Sequence, residues 1–135
     1  MKYHLDTSTV IDVLRFHRES LLNFELTPIQ DISISSIVAH ELLQGSHSTA
    51  PGSRSKKLLV SFLATVEVLP FRVAEAEVSA TISAYLKGKG QKIGSVDPLI
   101  AAHAISDGAV LVTRNVKDFK LIPDLHLIDW SKHAE

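Results

Sequence analysis

Three carboxylates stand at widely separated points of the chain, each in a setting where an acid has to be explained: Asp6 in "LDTST", Glu41 in "AHELLQG" and Asp97 in "GSVDPLIAAHA". Taken singly, each has a structural explanation. Asp6 before Thr7 and Ser8 has the form of a helix cap. Asp97 followed by Pro98 has the form of an N-cap with proline at the first helical position. Glu41 could lie on a solvated face, except that Ile37, Val38, Leu42 and Leu43 crowd around it. Taken together they pose a different problem. Carboxylates brought to one place repel, and a fold tolerates them only when a cation or shared protons compensate. Oxygen ligands without cysteine or an organised histidine pair favour a hard ion, Mg²⁺ or Mn²⁺, over zinc. Such an ion activates water and stabilises displacement at phosphorus.

Phosphate chemistry also needs cations on the protein. "LKGKGQK" supplies Lys87, Lys89 and Lys92 just ahead of Asp97, and "TRNVKDF" supplies Arg114 and Lys117. Further basic clusters are Arg15 with Arg18, and Arg54 with Lys56 and Lys57. The formal net charge is only −1, so any nucleic-acid contact rests on such local groups, not on an overall basic surface.

The acids converge only if the elements that carry them do. Short β-branched runs alternate with helical patterns: strands are expected at 2–5, 31–35, 66–71, 109–113 and 125–129. Helices are expected over 8–16, over 37–44 with Gly45 as the stop, and over 56–66, 74–90 and 98–108, with a loop at 45–55. "AVLVT" is almost wholly apolar, as a parallel strand buried on both faces must be. This alternation predicts an α/β, three-layer α/β/α sandwich with a mostly parallel, about five-stranded sheet. Sites in such sheets form outside the carboxyl ends of the strands. Asp6 follows the first strand there and Thr113, Arg114 and Asn115 follow the fourth, while Glu41 lies one and a half turns into the helix after the second. Asp97 opens the helix that feeds the fourth strand.

Composition removes several classes. At 135 residues and 45% hydrophobic content the chain suits one core, and a single domain over 1–135 is expected. Without cysteine there is no disulfide framework and no thiolate nucleophile. "HELLQ" carries Gln44 where a zinc peptidase needs its second histidine, and neither GxGxxG nor a P-loop occurs. His103 on its alanine-rich helix reads as a packed or partner-facing residue. The N-terminus lacks a signal-peptide pattern and no apolar run would cross a bilayer, so a soluble, cytoplasmic protein is expected. Two rival readings stand beside a nuclease for RNA: a non-enzymatic interaction domain whose acids are caps, and a metal-dependent phosphatase or DNA nuclease.

Four segments together, "LDTSTVIDVL", "ISSIVAHELLQG", "IGSVDPLIAAHA" and "AVLVTRNVKDFKLIPDLHLIDW", give the chain a resemblance to the PIN-domain ribonucleases, specifically the VapC-type toxins of bacterial toxin–antitoxin pairs. Their order and spacing cover essentially the whole sequence. The resemblance implies a PIN-like fold, with Asp6 and Asp97 as principal metal-binding carboxylates and Glu41 as the third acid. Many relatives place a fourth acid two residues after the threonine of the fourth strand. Here that position is Asn115, and Asp118 is the nearest acid that could replace it. The resemblance further implies Mg²⁺- or Mn²⁺-dependent cleavage of selected RNA, homodimerisation, and neutralisation by a small antitoxin that inserts a segment near the acids.

Overall fold

The computed structural model describes residues 1–132. Its strands are β1 (Tyr3–Leu5), β2 (Ile32–Ser35), β3 (Glu67–Leu69), β4 (Val110–Val112) and β5 (Leu127–Ile128). They form one sheet in the order β3-β2-β1-β4-β5, with every neighbouring pair parallel. The expected three-layer α/β architecture is thus present, with a fully parallel sheet. The apolar runs are buried as a central sheet requires: Leu5, Ile32, Ile34, Leu111 and Val112 are all fully covered.

The helices are α1 (Thr7–Leu14), α2 (Arg18–Leu26), α3 (Ser36–Ser46), α4 (Arg54–Thr65), α5 (Val73–Gly88), α6 (Asp97–Ser106) and the single turn α7 (Val116–Phe119). From β1 the chain steps through β2 to β3, then returns across the sheet to β4 and β5. Right-handed crossovers place the helices of the outward and return paths on opposite faces. The direction changes between β1 and β4, and the carboxyl ends of these two strands form the crevice where α/β sheets bind ligands.

Some expected boundaries move. Gly45 does not end α3, which runs on to Ser46. A glycine in an exposed last turn costs only about 1 kcal/mol relative to alanine, and Gly45 has an ordinary backbone angle. The expected 45–55 loop is correspondingly shorter, since α4 already begins at Arg54, where Ser53 accepts a hydrogen bond from the Lys56 amide at 3.3 Å. Helix α2 has no counterpart in the apolar pattern. Only Ser20 of its residues is buried, so it is held by its His17 cap, by α1 and by half-buried Phe24, which packs on the core 5.9 Å from Phe62, and not by a continuous apolar stripe.

Helix α6 is fixed along its length. Ala101, Ala102 and Ala104 are fully buried, and small side chains let the helix approach its neighbours closely. His103, packed in the interior as the sequence suggested, shares a 2.7 Å hydrogen bond between Nδ1 and the Ser35 hydroxyl. The His4 Nε2 meets Asp107 Oδ2 at 2.8 Å one turn further on, at the C-cap of the helix. Burial pushes both imidazoles below their ordinary pKa. Ser35 also caps α3, its Oγ accepting from the Ile37 amide at 3.1 Å. Ser35→Ala therefore removes a cap and strands a buried imidazole nitrogen at once. It should cost about 2–3 kcal/mol in urea denaturation, against about 1 kcal/mol for Ser53→Ala, which loses a cap alone.

Candidate acid cluster at the carboxyl edge

Asp6 leaves β1 and immediately caps α1, its Oδ1 accepting from the Thr7 amide at 2.8 Å. The other oxygen accepts from the Thr113 hydroxyl at 2.7 Å and the Ser8 hydroxyl at 3.2 Å. Its backbone N–H donates to the Val112 carbonyl at 2.9 Å, which ties the end of β1 to the end of β4. The cap reading of Asp6 is correct, and it leaves the carboxylate at the switch point of the sheet. Buried with 6% exposure, it is held above the ordinary carboxylate pKa by burial, helped by the charge of Glu41, while the three hydrogen bonds pull the other way.

Glu41 enters from α3. Its Oε1 accepts from the Thr7 hydroxyl at 2.5 Å, so Thr7 alone donates to two acids of the cluster, to Asp6 through its amide and to Glu41 through its hydroxyl. The sequence places Thr113 at the end of the fourth strand and Thr7 and Ser8 beside Asp6, but gives none of the three a role as donor to the acids. Their signal is local: hydroxyls directly after Asp6, and one at the end of the buried fourth strand.

Asp97 is not the cap its sequence suggested. Helix α6 is capped by Val96, whose carbonyl accepts from the amides of Leu99 and Ile100. Asp97 is already helical and its side chain makes no capping bond. The helix begins a residue early because the Asp97 amide turns back onto the Gly94 carbonyl at 3.2 Å. The carboxylate lies so close to Gly94 that a Cβ there would meet Oδ2 at 3.3 Å. Its pKa is pushed up to about 6, first by burial and then by the charges of Asp6, Asp118 and Glu41.

Asp118, in the single turn of α7, thus shares the field of the other acids. Asn115, the other candidate for the fourth position, is exposed and provides α7 with backbone but no side-chain cap. Its amide donates to the Thr113 hydroxyl at 3.0 Å. The five basic candidates divide. Lys87, Lys89 and Lys92 are exposed at the end of α5 and on the chain leading into Asp97, and Lys117 is exposed on α7. Arg114 instead reaches the buried Asp12 of α1.

All donors of the cluster are oxygen, which suits a hard divalent cation. Two of the carboxylates are raised in pKa, first by burial and then by neighbouring acids, Glu41 acting on Asp6 and Asp6, Asp118 and Glu41 on Asp97, a condition that a cation relieves. Among the described residues, however, no three acidic or histidine side chains stand close enough together to hold an ion as they are. Coordination needs side-chain rotation of the kind that Asp97, free of a capping bond, can make.

Comparison with known proteins matches residues 3–125 to the model of the PIN domain. The chain belongs to the PIN-domain family. Within that family it is 37% identical to "Ribonuclease VapC2" of Rickettsia felis, over 98% of this chain and all of the relative. It is 32% identical to the "tRNA(fMet)-specific endonuclease VapC" of Salmonella typhimurium, covering 96% and 98% of the two chains. The crystal structure of VapBC2 from Rickettsia felis, bound to a DNA fragment from its promoter, superposes with a TM-score of 0.86. That match covers 96% of this chain and 99% of that one at 35% identity. The fold is therefore the VapC-type PIN fold.

The acids of this PIN domain predict a pH signature in the metal-free protein. Asp97 ionises near 6 when folded and at its ordinary 3.8 when unfolded, so the folded state binds the extra proton between these values. The resulting penalty is absent below about pH 4, grows through pH 6 and is complete above it. With allowance for partial exposure, Asp97→Asn should exceed wild type in stability by about 1–2 kcal/mol at pH 7.5. The difference should vanish at pH 4 in paired urea titrations without divalent ions.

Proposed function

We propose that this PIN-domain protein is a divalent-metal-dependent endoribonuclease that serves as the toxin of a type II toxin–antitoxin pair. The convergence of Asp6, Glu41, Asp97 and Asp118 on the β1/β4 crevice carries the proposal, together with curated relatives named as ribonucleases. The PIN-like nuclease domain takes in residues 1–135. Mg²⁺ or Mn²⁺, held by Asp6, Asp97 and Glu41 with Asp118 or Asn115 as fourth group, supplies activated water and charge stabilisation at phosphorus. Asp6 is oriented for this by Thr113, Ser8 and the Thr7 amide, and Glu41 by the Thr7 hydroxyl. Coupling to Asp97 favours Asp118 over Asn115 for the fourth role.

Transfer RNA is the first substrate class to test, since the Salmonella relative is named for cleaving one. Lys87, Lys89, Lys92, Arg114 and Lys117 supply phosphate contacts. No helix among the described residues is long and apolar enough to cross a membrane, and the reading places the protein in the cytoplasm, where tRNA is. An antitoxin segment fits the groove of about 220 Å³ that Ile11, Leu14, Leu42, Leu58 and Leu59 line between α1, α3 and α4, with Glu41 at its edge. Exposed Val68 on the edge strand β3 and Val73 at the start of α5 support a homodimer.

Asp6→Ala and Asp97→Asn should each lower Mg²⁺-dependent cleavage of a tRNA mixture by at least about a hundredfold, and the double variant should be little worse. DNA of similar length should remain intact. Cleavage by purified Asp6→Ala at the wild-type rate would end the assignment. Metal titration separates the fourth-position candidates: Asp118→Ala should lose far more activity than Asn115→Ala. Replacing Lys87, Lys89 and Lys92 together by glutamine should flatten the dependence of log binding on log salt by up to about 2, at about 0.7 per phosphate contact on single strands.

A further inference from the structure

Arg114 is not an ordinary surface arginine. Its Nη1 donates to Asp12 Oδ1 at 2.9 Å, the aspartate side chain being 7% exposed and the arginine side chain 54%. The second Asp12 oxygen accepts from the hydroxyl of Ser20, itself fully buried, at 3.1 Å. Ser20 reaches Asp12 because the chain reverses sharply between α1 and α2. Phe16 there takes a left-handed backbone angle of +61°, which is costly for a bulky residue. The His17 amide then closes onto the Asp12 carbonyl at 2.9 Å. A strained turn and a buried hydroxyl thus hold the carboxylate that grips Arg114.

The same arginine is anchored at its backbone. Its N–H donates to the Ser8 hydroxyl at 3.3 Å, and Ser8 donates to Asp6. The preceding residue, Thr113, donates to Asp6 as well. Arg114 is therefore bound at both ends, to the residues around Asp6 and to a buried acid one turn beyond Ser8 on α1. A guanidinium has five N–H donors in a rigid fork. Among the described residues Asp12 is the only acceptor that meets it, and with the side chain 54% exposed the fork keeps donors open to solvent.

From this geometry we infer that Asp12, locked by Ser20, is a positioning residue that preorganises Arg114 as a clamp for an RNA backbone phosphate next to the cleavage site. The inference rests on the ribonuclease reading. Mobile lysines could attract the strand, but a fixed fork can also set its register, because a bidentate guanidinium–phosphate contact is directional. Fixing the donor in advance avoids ordering it when RNA binds. The ion pair is neutral overall, but the carboxylate occupies one edge of the guanidinium and leaves its exposed N–H donors to attract phosphate.

The test measures tRNA cleavage and, in Ca²⁺ or in an Asp6→Asn background, tRNA binding across a salt series. Arg114→Gln should reduce kcat/KM about tenfold and flatten the salt slope by about 0.7. Arg114→Lys should keep the slope and lose rate. Asp12→Asn, which keeps an acceptor for Ser20, should also keep the slope but reduce kcat by roughly threefold or more. Arg114→Gln added to Asp12→Asn should cost much less than it does alone. Melting temperatures confirm that each variant is folded at the assay temperature. A purely structural ion pair would lower melting temperature in both single variants and leave the salt slope of Arg114→Gln at the wild-type value, which would overturn the inference. Additive losses in the double variant would overturn the role of Asp12. If the wild type binds tRNA with an Arg114-dependent slope yet cleaves none, the clamp stands and the ribonuclease reading falls. If it does not bind tRNA, both fall.

Discussion

Mutual repulsion of carboxylates at one edge of the sheet is the constraint around which this molecule is arranged. Asp6 is nearly buried, Asp97 is partly buried, and Glu41 and Asp118 add their charges nearby. A folded chain that concentrates charge in this way loses stability unless local donors and geometry compensate. The compensation around Asp6 is extensive: a helix N-terminus, two hydroxyls and a main-chain bond that joins β1 to β4. Around Asp97 it is slight, and its raised pKa records that difference. The cluster therefore joins a rigid member to a responsive one. That division suits a site whose acids must be placed before a cation arrives and adjust when it does.

The rigid part depends on sheet order. Because β1 lies between β2 and β4, and the chain changes direction there, Asp6 opens into the crevice and not onto a covered edge. Placement of Asp97 is a longer-range problem, since it begins α6, a whole helix before β4. The interior solves it with polar groups that an apolar core would not need. Ser35 holds His103 at one point of α6 and His4 holds Asp107 at another. Such bonds fix both the rotation and the axial position of a helix whose alanine surface would otherwise permit sliding. Burial lowers the pKa of both imidazoles, while the carboxylate each one faces, Asp107 at 2.8 Å for His4 and Glu75 at 3.7 Å for His103, pulls the other way. The hydroxyl of Ser35, which also caps α3, links the helix carrying Glu41 to the helix carrying Asp97.

Much of this was legible in the sequence because the relevant signals are strong and local. Wholly apolar strand runs and alternating helical periods imply a parallel sheet, and the sheet implies a site at its carboxyl ends. The acids were visible because each interrupts an apolar or capping context. What escaped detection depended on tertiary placement. Helix α2 buries almost nothing of its own, so no periodicity marks it. Asp97 with Pro98 has the composition of a cap, yet the Gly94 turn starts the helix at the preceding residue and frees the carboxylate. The choice between Asn115 and Asp118 depends on a single helical turn, too short to leave a pattern. The Asp12–Arg114 pair spans 102 positions, and only the adjacency of β1 and β4 makes it possible.

That pair also bears on how a chain with a net charge of −1 can hold a polyanion beside a nest of carboxylates. The acids repel a phosphate backbone as strongly as they attract a cation, so unassisted binding would be weakest where chemistry must occur. Lysines on the approach to Asp97 raise affinity, but each can swing toward the acids and be neutralised by them. An arginine tied to a buried aspartate on α1 is kept from that collapse. Its charge stays where the phosphate is needed, and the acids remain available to the cation. Separating the two charge systems requires that the positive group be fixed by something other than the cluster itself. Asp12, Ser20 and the strained turn at Phe16 provide that independent anchorage.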